Sequence, residues 1–169
     1  MVGGSFLEAG MSITVRARLL RSFDPRMSRY RLRIGTSRIH RTGVFAAEMI
    51  PAGRKVIEYT GKRLDRRGLR ALIQKVGNLR AVRLRYVFEY HRNCFVDGAV
   101  GGSRPEVINH SCDPNLAGRR ISGHVLYFSR RQIQAGEELT VDYRYAPTAL
   151  QVRCRCGSPK CRGTINRKQ

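Results

Sequence analysis

From Tyr30 the chain reads as short runs of alternating apolar and polar residues, broken by Gly and Pro. Tyr30 to Ile34 alternates, Gly43 to Ala46 opens a second strand, and Val56 to Tyr59 is a third, with Pro51-Ala52-Gly53 as a turn between them. Residues 64–85 change period. Leu64, Leu69, Leu72, Ile73, Val76 and Leu79 recur at three and four residues with Arg and Lys in the gaps. That spacing predicts one amphipathic helix or two, with a strongly basic outer face and Gly68 and Gly77 as weak points. Strand-like runs resume at Tyr86–Tyr90, Cys94–Val96, Val125–Phe128 and Leu139–Tyr143, and Ala135-Gly136-Glu137 turns into the last of them. Many short strands with one helical insertion predict a β-rich α+β fold. Residues 1–28 read as a basic leader of loose order, 29–146 as the main domain, and 150–166, beyond Pro147, as a C-terminal appendage.

Composition adds a partner class. The 169 residues suit one domain large enough to bury a core without staples. The formal charge is +21, carried by 28 Arg and 5 Lys against 12 acidic residues. Such an excess attracts polyanions, so nucleic acid or a nucleic-acid complex is a natural partner; the plainer alternative is a set of solvated Arg-rich faces. The charge is uneven: residues 1–85 hold 20 basic and 5 acidic side chains, 86–145 hold 7 of each, and 146–169 hold 6 basic and none acidic. No apolar run approaches the ~20 residues of a membrane span, and no basic segment precedes an apolar core at the N-terminus as in a signal peptide.

The five cysteines are Cys94, Cys112, Cys154, Cys156 and Cys161. An odd count argues against a simple disulfide framework. Three of them lie in Cys-x-Cys-x4-Cys with an internal Gly and Pro, a loop suited to turning around an ion in a reducing compartment. Zinc takes four ligands, so a fourth from Cys94 or Cys112 would pin the appendage onto the body.

Two further segments carry chemistry. Asn109-His110-Ser111-Cys112-Asp113-Pro114-Asn115 follows directly on what reads as a strand at Val107-Ile108, and its amides and imidazole suit a polar ligand. The alternatives are a satisfied core histidine at His110, or a hydrolytic pair of His110 with Ser111 or Cys112; the second is disfavoured because i and i+2 side chains rarely meet and no oxyanion-hole motif is visible. Thr140-Val141-Asp142-Tyr143-Arg144-Tyr145 closes the body with two tyrosines at alternate positions, suited to a core or to the lining of a channel.

Together these segments resemble the SET-domain protein-lysine methyltransferases that end in a post-SET zinc loop. The resemblance runs through Ser37–Ala46, Ile57–Gly61, Tyr86–Phe88, Ile108–Asn115, Gly136–Tyr143 and Cys154–Gly163, in that order, and covers roughly residues 32–165. It implies a fold of small curled β-sheets with a knot-like crossing, where the cofactor S-adenosylmethionine lies on one face, the peptide on the other, and a channel joins them. It further implies that His40, Arg41, Thr42, Tyr86, Asn109, His110 and Arg155 contact the cofactor. Tyr143 matches the catalytic tyrosine, and Tyr59, Phe88, Val141 and Tyr145 match channel positions. Cys112, Cys154, Cys156 and Cys161 match the ligands of one structural zinc, which leaves Cys94 as a buried odd thiol.

The implied reaction is methylation of a lysine on a histone, or on another basic protein that travels with nucleic acid. The implied setting is reducing and intracellular: nucleus or chromosome in a eukaryote, cytoplasm in a bacterium. A catalytically silent SET module that binds chromatin or nucleic acid through its Arg-rich surfaces is the alternative. The chain departs from the family pattern at Arg41, where Gly is usual, at Gly102-Ser103 for Gly-Asn, and at Glu106 for Arg. Main-chain contacts with the cofactor survive the first change if Arg41 keeps an ordinary φ. Val141 stands where Phe or Tyr often limits the number of methyl groups, and Gly118 where some relatives place a ring; both imply a roomier channel suited to di- or trimethylation.

Overall fold

The structure is a computed structural model that describes residues 26–77, 87–149 and 151–168. Its strands are β1 (Leu32–Thr36), β2 (Thr42–Ala46), β3 (Lys55–Tyr59), β4 (Lys62–Leu64), β5 (Val87–His91), β6 (Cys94–Asp97), β7 (Asn109–His110), β8 (Leu116–Ile121), β9 (His124–Ser129) and β10 (Glu138–Val141). The helix α1 (Arg66–Val76) lies between β4 and β5. Three small sheets result, with strand orders β1-β2-β10-β7, β3-β9-β8 and β4-β6-β5.

The pairings follow the sequence periods. On β9, Val125, Tyr127 and Ser129 point inward while His124, Leu126 and Phe128 are more open, the period of two expected of a half-buried strand. β10 departs from that rule: Leu139, Thr140 and Val141 are all buried. It is an inner strand between antiparallel β2 and parallel β7, and its consecutive buried residues mean that both of its faces are covered. Val56 and Ile57 are both wholly buried too, where the β3–β9 register shifts. The core gathers Val44, Ile50, Val56, Ile57, Ile108, Leu116, Ile133 and Leu139.

The helix ends at Gly77, one of its two expected weak points, and residues 78–86, where the spacing allows a second helix, lie outside the described residues. Asp65 caps its start, its side chain accepting from the Gly68 N–H at 2.7 Å. Gly77 ends it at φ 85°, its N–H donating to the carbonyls of Ile73 and Gln74, a left-handed stop that glycine adopts without steric penalty. Leu69, Leu72, Ile73 and Val76 are only half-buried, and Arg66, Arg67, Arg70 and Lys75 are exposed, as the basic outer face requires. Leu79 and Tyr86 lie outside the described residues, as does the expected leader before Arg26.

Three local readings are corrected. The segment before Asn109 is a 3-10 turn, Pro105–Val107, and not a strand; strand pairing begins at Asn109 itself. The last strand stops at Val141, which leaves Asp142 and Tyr143 beyond the ladder. At the amino end, Met27–Arg29 is already docked on β3: the Arg29 N–H donates to Val56 O and the Glu58 N–H to Met27 O, each at 3.0 Å. No helix among the described residues is long and apolar enough to cross a membrane.

Candidate functional site

The parallel pair β7–β10 brings the two chemistry-bearing segments together. Its register sets Thr140 opposite Asn109 and Val141 opposite His110, so Tyr143 emerges beside the Asn-His-Ser-Cys run. The Asn109 side chain is buried, and its amide nitrogen lies 3.2 Å from His40 O, 3.0 Å from Thr42 O and 2.8 Å from Glu138 Oε1. Asn109 therefore ties the loop between β1 and β2 to β7.

Glu138 completes that tie. Its carboxylate accepts from the Ser37 hydroxyl at 2.8 Å, and Ser37 in turn accepts from the Ile39 N–H at 2.9 Å. A Cβ on Gly43 would come within 2.3 Å of Glu138 Oε1, so a side chain there would push the carboxylate out of its bonds to Ser37 and Asn109. Sequence reasoning quoted Glu138 and Ser37 inside motifs and gave neither a role; a carboxylate just after the Gly136 turn was the available signal.

His40, Arg41 and Thr42 form the exposed end of this loop, closed by a 3.0 Å bond from the Ser37 N–H to Arg41 O. Arg41 sits at φ 43°. The ordinary φ on which unstrained main-chain contacts depended is not what it adopts; it holds a left-handed conformation that favours glycine.

His110 is a satisfied core histidine. Its Nδ1 accepts from the Tyr143 N–H at 3.1 Å, so Nε2 carries the proton and faces Cys112 Sγ at 3.4 Å. Burial pushes its pKa down to about 4, against the pull of Asp142, so the ring is neutral near pH 7. The i, i+2 pair His110 and Cys112 does meet, contrary to the sequence argument, but the Cys112 thiol is committed elsewhere.

That commitment is a four-cysteine cluster. The Sγ atoms of Cys112, Cys154, Cys156 and Cys161 all lie within 4.8 Å of one another, and such a group can hold a metal ion. Cys112 and Cys154 are 3.7 Å apart. The Arg162 N–H points at Cys112 Sγ at 3.3 Å, and the Cys156 N–H at Cys154 Sγ at 3.4 Å. Burial raises the Cys154 thiol well above its usual range. At Cys156 burial acts the same way, but backbone N–H groups of Cys112 and Ser158 outweigh it and bring the thiol down to about 6. Cys94 sits apart on β6, only half-buried.

The aromatic residues form a chain of rings. Tyr143 is half-buried, donates its hydroxyl to Ile108 O at 2.9 Å, and stacks on Tyr145 with centroids 5.9 Å apart at 26°. Tyr59 is buried, 5.8 Å from Phe88 and 6.3 Å edge-on from Tyr127. Burial raises the Tyr59 phenol far above its ordinary value, and the nearby Tyr127, Glu106 and Tyr143 add to that. A Cβ on Gly98 would meet the Tyr59 hydroxyl at 2.5 Å, so that glycine sets where the phenol lies. Val141 is in the core, and Arg155 is exposed between two of the cysteines.

The departures at 102–106 have local solutions of unequal quality. Ser103 donates its hydroxyl to Glu58 O at 2.7 Å, and its N–H goes to Thr60 Oγ1 at 2.9 Å. Glu106 is buried with Oε2 unpartnered among the described residues, and Arg104 reaches only to 3.9 Å from Oε1.

Comparison with known proteins converges on one family. The model of the SET domain matches residues 41–144. The protein "Histone-lysine N-methyltransferase TRX1" of Oryza sativa subsp. japonica is 38% identical over 142 residues, 82% of this chain and 14% of that protein. A Schizosaccharomyces pombe protein, "Histone-lysine N-methyltransferase, H3 lysine-4 specific", is 34% identical over 163 residues, 91% of this chain and 17% of that one. The chain thus spans less than a fifth of the length of these curated relatives. Among solved structures, KRYPTONITE in complex with mCHG DNA and SAH superposes with a TM-score of 0.65 at 28% identity, over 82% of this chain and 29% of that one. An active polycomb repressive complex 2 in the stimulated state gives 0.61 at 27% identity, over 70% of this chain and 16% of that one.

Proposed function

The chain belongs to the SET-domain family, and on that premise we propose that it transfers a methyl group from S-adenosylmethionine to a lysine side chain of a protein, a histone or another basic protein bound to nucleic acid. The observation that carries this is the union of Tyr143, anchored on Ile108 O, with the loop and β7 that Asn109 and Glu138 hold together.

His40, Arg41 and Thr42 would meet the cofactor through their main chain, with Asn109, His110 and Arg155 beside them; Tyr86, the remaining expected contact, lies outside the described residues. The fit rests on a loop cradled so closely that a Cβ at Gly43 would displace the Glu138 carboxylate that holds it. Both His110 nitrogens are engaged inside the protein, which leaves its backbone for any ligand. When bound, S-adenosylmethionine supplies an electrophilic methyl group on a sulfonium.

The chain's own residues do the rest. A lysine amine has a pKa near ~10.4 and must react uncharged. Walls of Tyr59, Phe88 and Tyr145 would desolvate it and lower that pKa, and aromatic faces tolerate the methylated ammonium product. Tyr143 would orient the amine through its hydroxyl, and alignment supplies much of the acceleration of an in-line displacement. Val141 carries no ring at the position that often limits methyl number, so di- or trimethylated product is expected; Gly118 adds no open space, since a Cβ there would already lie 3.1 Å from the Tyr127 ring.

The metal would be zinc, held by Cys112, Cys154, Cys156 and Cys161. Zn–S bonds of ~2.3 Å place the corners of a tetrahedron about 3.8 Å apart, and the Cys112–Cys154 separation is 3.7 Å. A site of nucleosomal or other nucleic-acid-bound substrate fits the exposed Arg66, Arg67, Arg70 and Lys75 of α1, and the cellular setting would be the nucleus. Residues 29–146 would be the catalytic domain and 150–166 its zinc loop.

The test is transfer of labelled methyl from S-adenosylmethionine to core histones, free and on nucleosomes, beside Tyr143→Phe. Label on lysine that falls about 100-fold in the variant, with cofactor affinity kept, supports the reading. Bound zinc and cofactor without label would turn the chain into a silent binding module. Stronger salt dependence on nucleosomes than on free histone would mark the basic surface as a nucleic-acid contact.

A further inference from the structure

We infer that Asn166 is a positioning residue for the tyrosine end of this site. It would act through the backbone on which Tyr145 rides. The inference rests on the methyl-transfer reading of Tyr143 and Tyr145.

Asn166 is wholly buried. Its amide nitrogen donates to Ala146 O at 3.0 Å and to Ala149 O at 3.3 Å. Its Oδ1 accepts from the Val152 N–H at 3.1 Å and from the Thr164 hydroxyl at 2.8 Å. A carboxamide has two donor hydrogens and two acceptor lone pairs, and both of its ends are engaged; the one Thr164 hydrogen is shared with Gln151 Oε1 and Val152 O, each at 3.0 Å. The three chain positions it grips, 146, 149 and 152, span the strap that leads from Tyr145 to Cys154.

Among its described residues, that strap contains no strand of a sheet. Its regular contacts are single bridges, Tyr145 with Asn166 and Arg153 with Thr164. The next residue completes the grip, for the Arg167 N–H donates to Tyr145 O at 2.8 Å. On the other side, the Cys154 N–H donates to Gly163 O at 2.9 Å and the Ile165 N–H to Val152 O at 3.0 Å. Closing the thiol loop therefore brings residues 163–167 alongside the strap, and Asn166 converts that closure into a fixed place for Tyr145. Tyr145 in turn stacks on Tyr143. Without the carboxamide the cysteines can still gather, but the strap has lost its central tie and Tyr145 its fixed distance from Tyr143.

Asn166→Ala removes all four bonds. Asn166→Asp keeps the acceptor and turns a carboxylate oxygen toward two carbonyls. Thr164→Val leaves the carboxamide in place but removes the hydroxyl that meets Asn166 Oδ1, Gln151 Oε1 and Val152 O, and serves as the second variant if either of the others unfolds. Each full chain is measured for zinc content, cofactor affinity, kcat and KM on the histone substrate, and the 19F resonance of Tyr145 in protein labelled with 3-fluorotyrosine, assigned by Tyr145→Phe.

Zinc content and cofactor affinity within about twofold of the parent, kcat down about 10- to 100-fold, and a moved or broadened Tyr145 resonance are expected, since misplacement of about 1 Å is worth that much in rate. Asn166→Asp should fall as far as Asn166→Ala, whereas loss of volume alone would spare Asn166→Asp. Unchanged kcat with an unchanged Tyr145 resonance would overturn the inference, and so would loss of zinc in step with loss of activity. If the parent chain itself transfers no methyl, the catalytic reading fails, while the Tyr145 resonance still decides whether Asn166 places that ring.

Discussion

Arg162 grips both carboxylate oxygens of Asp142, at 3.0 and 2.9 Å, and so joins the residue after Cys161 to the residue before Tyr143. Both side chains are less than a quarter exposed. A lysine carries a point charge and cannot reproduce the two-toothed bond. Arg162→Lys should lower stability by about 1–3 kcal/mol, the range for a hydrogen bond to a charged group. Thermal unfolding would register this, and zinc should be released to a competing chelator at a lower concentration than from the parent.

The same pair sets an acid limb. Burial works against a charged Asp142, but the Arg162 bonds and the Arg144 N–H outweigh it and hold the carboxyl below its usual range. The stability it contributes is therefore present above the unfolded value of about 3.9 and disappears as pH falls through the lower folded value. The difference in melting temperature between parent and Asp142→Asn should be full near pH 6 and shrink below pH about 4.

Glu106 should behave with the opposite sign. Its burial outweighs the help from Arg104 and raises its pKa. What stability its carboxyl provides is complete below about pH 4.3 and is lost as pH rises through the raised folded value. Glu106→Gln should leave acid stability unchanged and gain about 1 kcal/mol at neutral pH, where a buried oxygen without a partner is most costly when charged. Melting curves at pH 4 and pH 7.5 would check it.

Arg41 provides a test of backbone strain. A left-handed conformation costs a residue with a Cβ about 1–2 kcal/mol, most of all a β-branched one, and Arg41 holds φ 43°. Glycine removes that strain but loses more chain entropy on folding, about 0.5–1 kcal/mol. The expected order of melting temperature is Arg41→Gly equal to or above the parent, with Arg41→Val lowest. Cofactor affinity by calorimetry should follow the same order, because the strain sits in the loop that would receive it.

The cysteine cluster predicts a partition among the five thiols. Replacement of Cys112, Cys154, Cys156 or Cys161 by Ser should reduce bound zinc below one per chain, since a structural site needs all four ligands. Cys94→Ser should leave the metal content intact. Metal analysis of the five variants decides it, and an equal loss at Cys94 would contradict the assignment.

Much of this molecule was legible along the chain because its signals are local. The three-and-four spacing of Leu69, Leu72, Ile73 and Val76 with an Asp before and a Gly after marks α1, and a three-cysteine loop declares a metal ligand set short by one. Alternation found β9, whose sides differ in exposure, and a short apolar run bounded by turn residues found β3. It failed at β4, β7 and β8, which are short or rich in Arg and Gly and are strands because of their neighbours. Tertiary structure alone decided the rest, for a physical reason common to all of it: hydrogen bonds between residues distant in sequence leave no period. That is why Cys112 rather than Cys94 meets the thiol loop, why Glu138 reaches Ser37 and Asn109, and why Asn166 grips the strap beyond Tyr145. Residue types set which groups were able to bond; only the folded chain set which of them met.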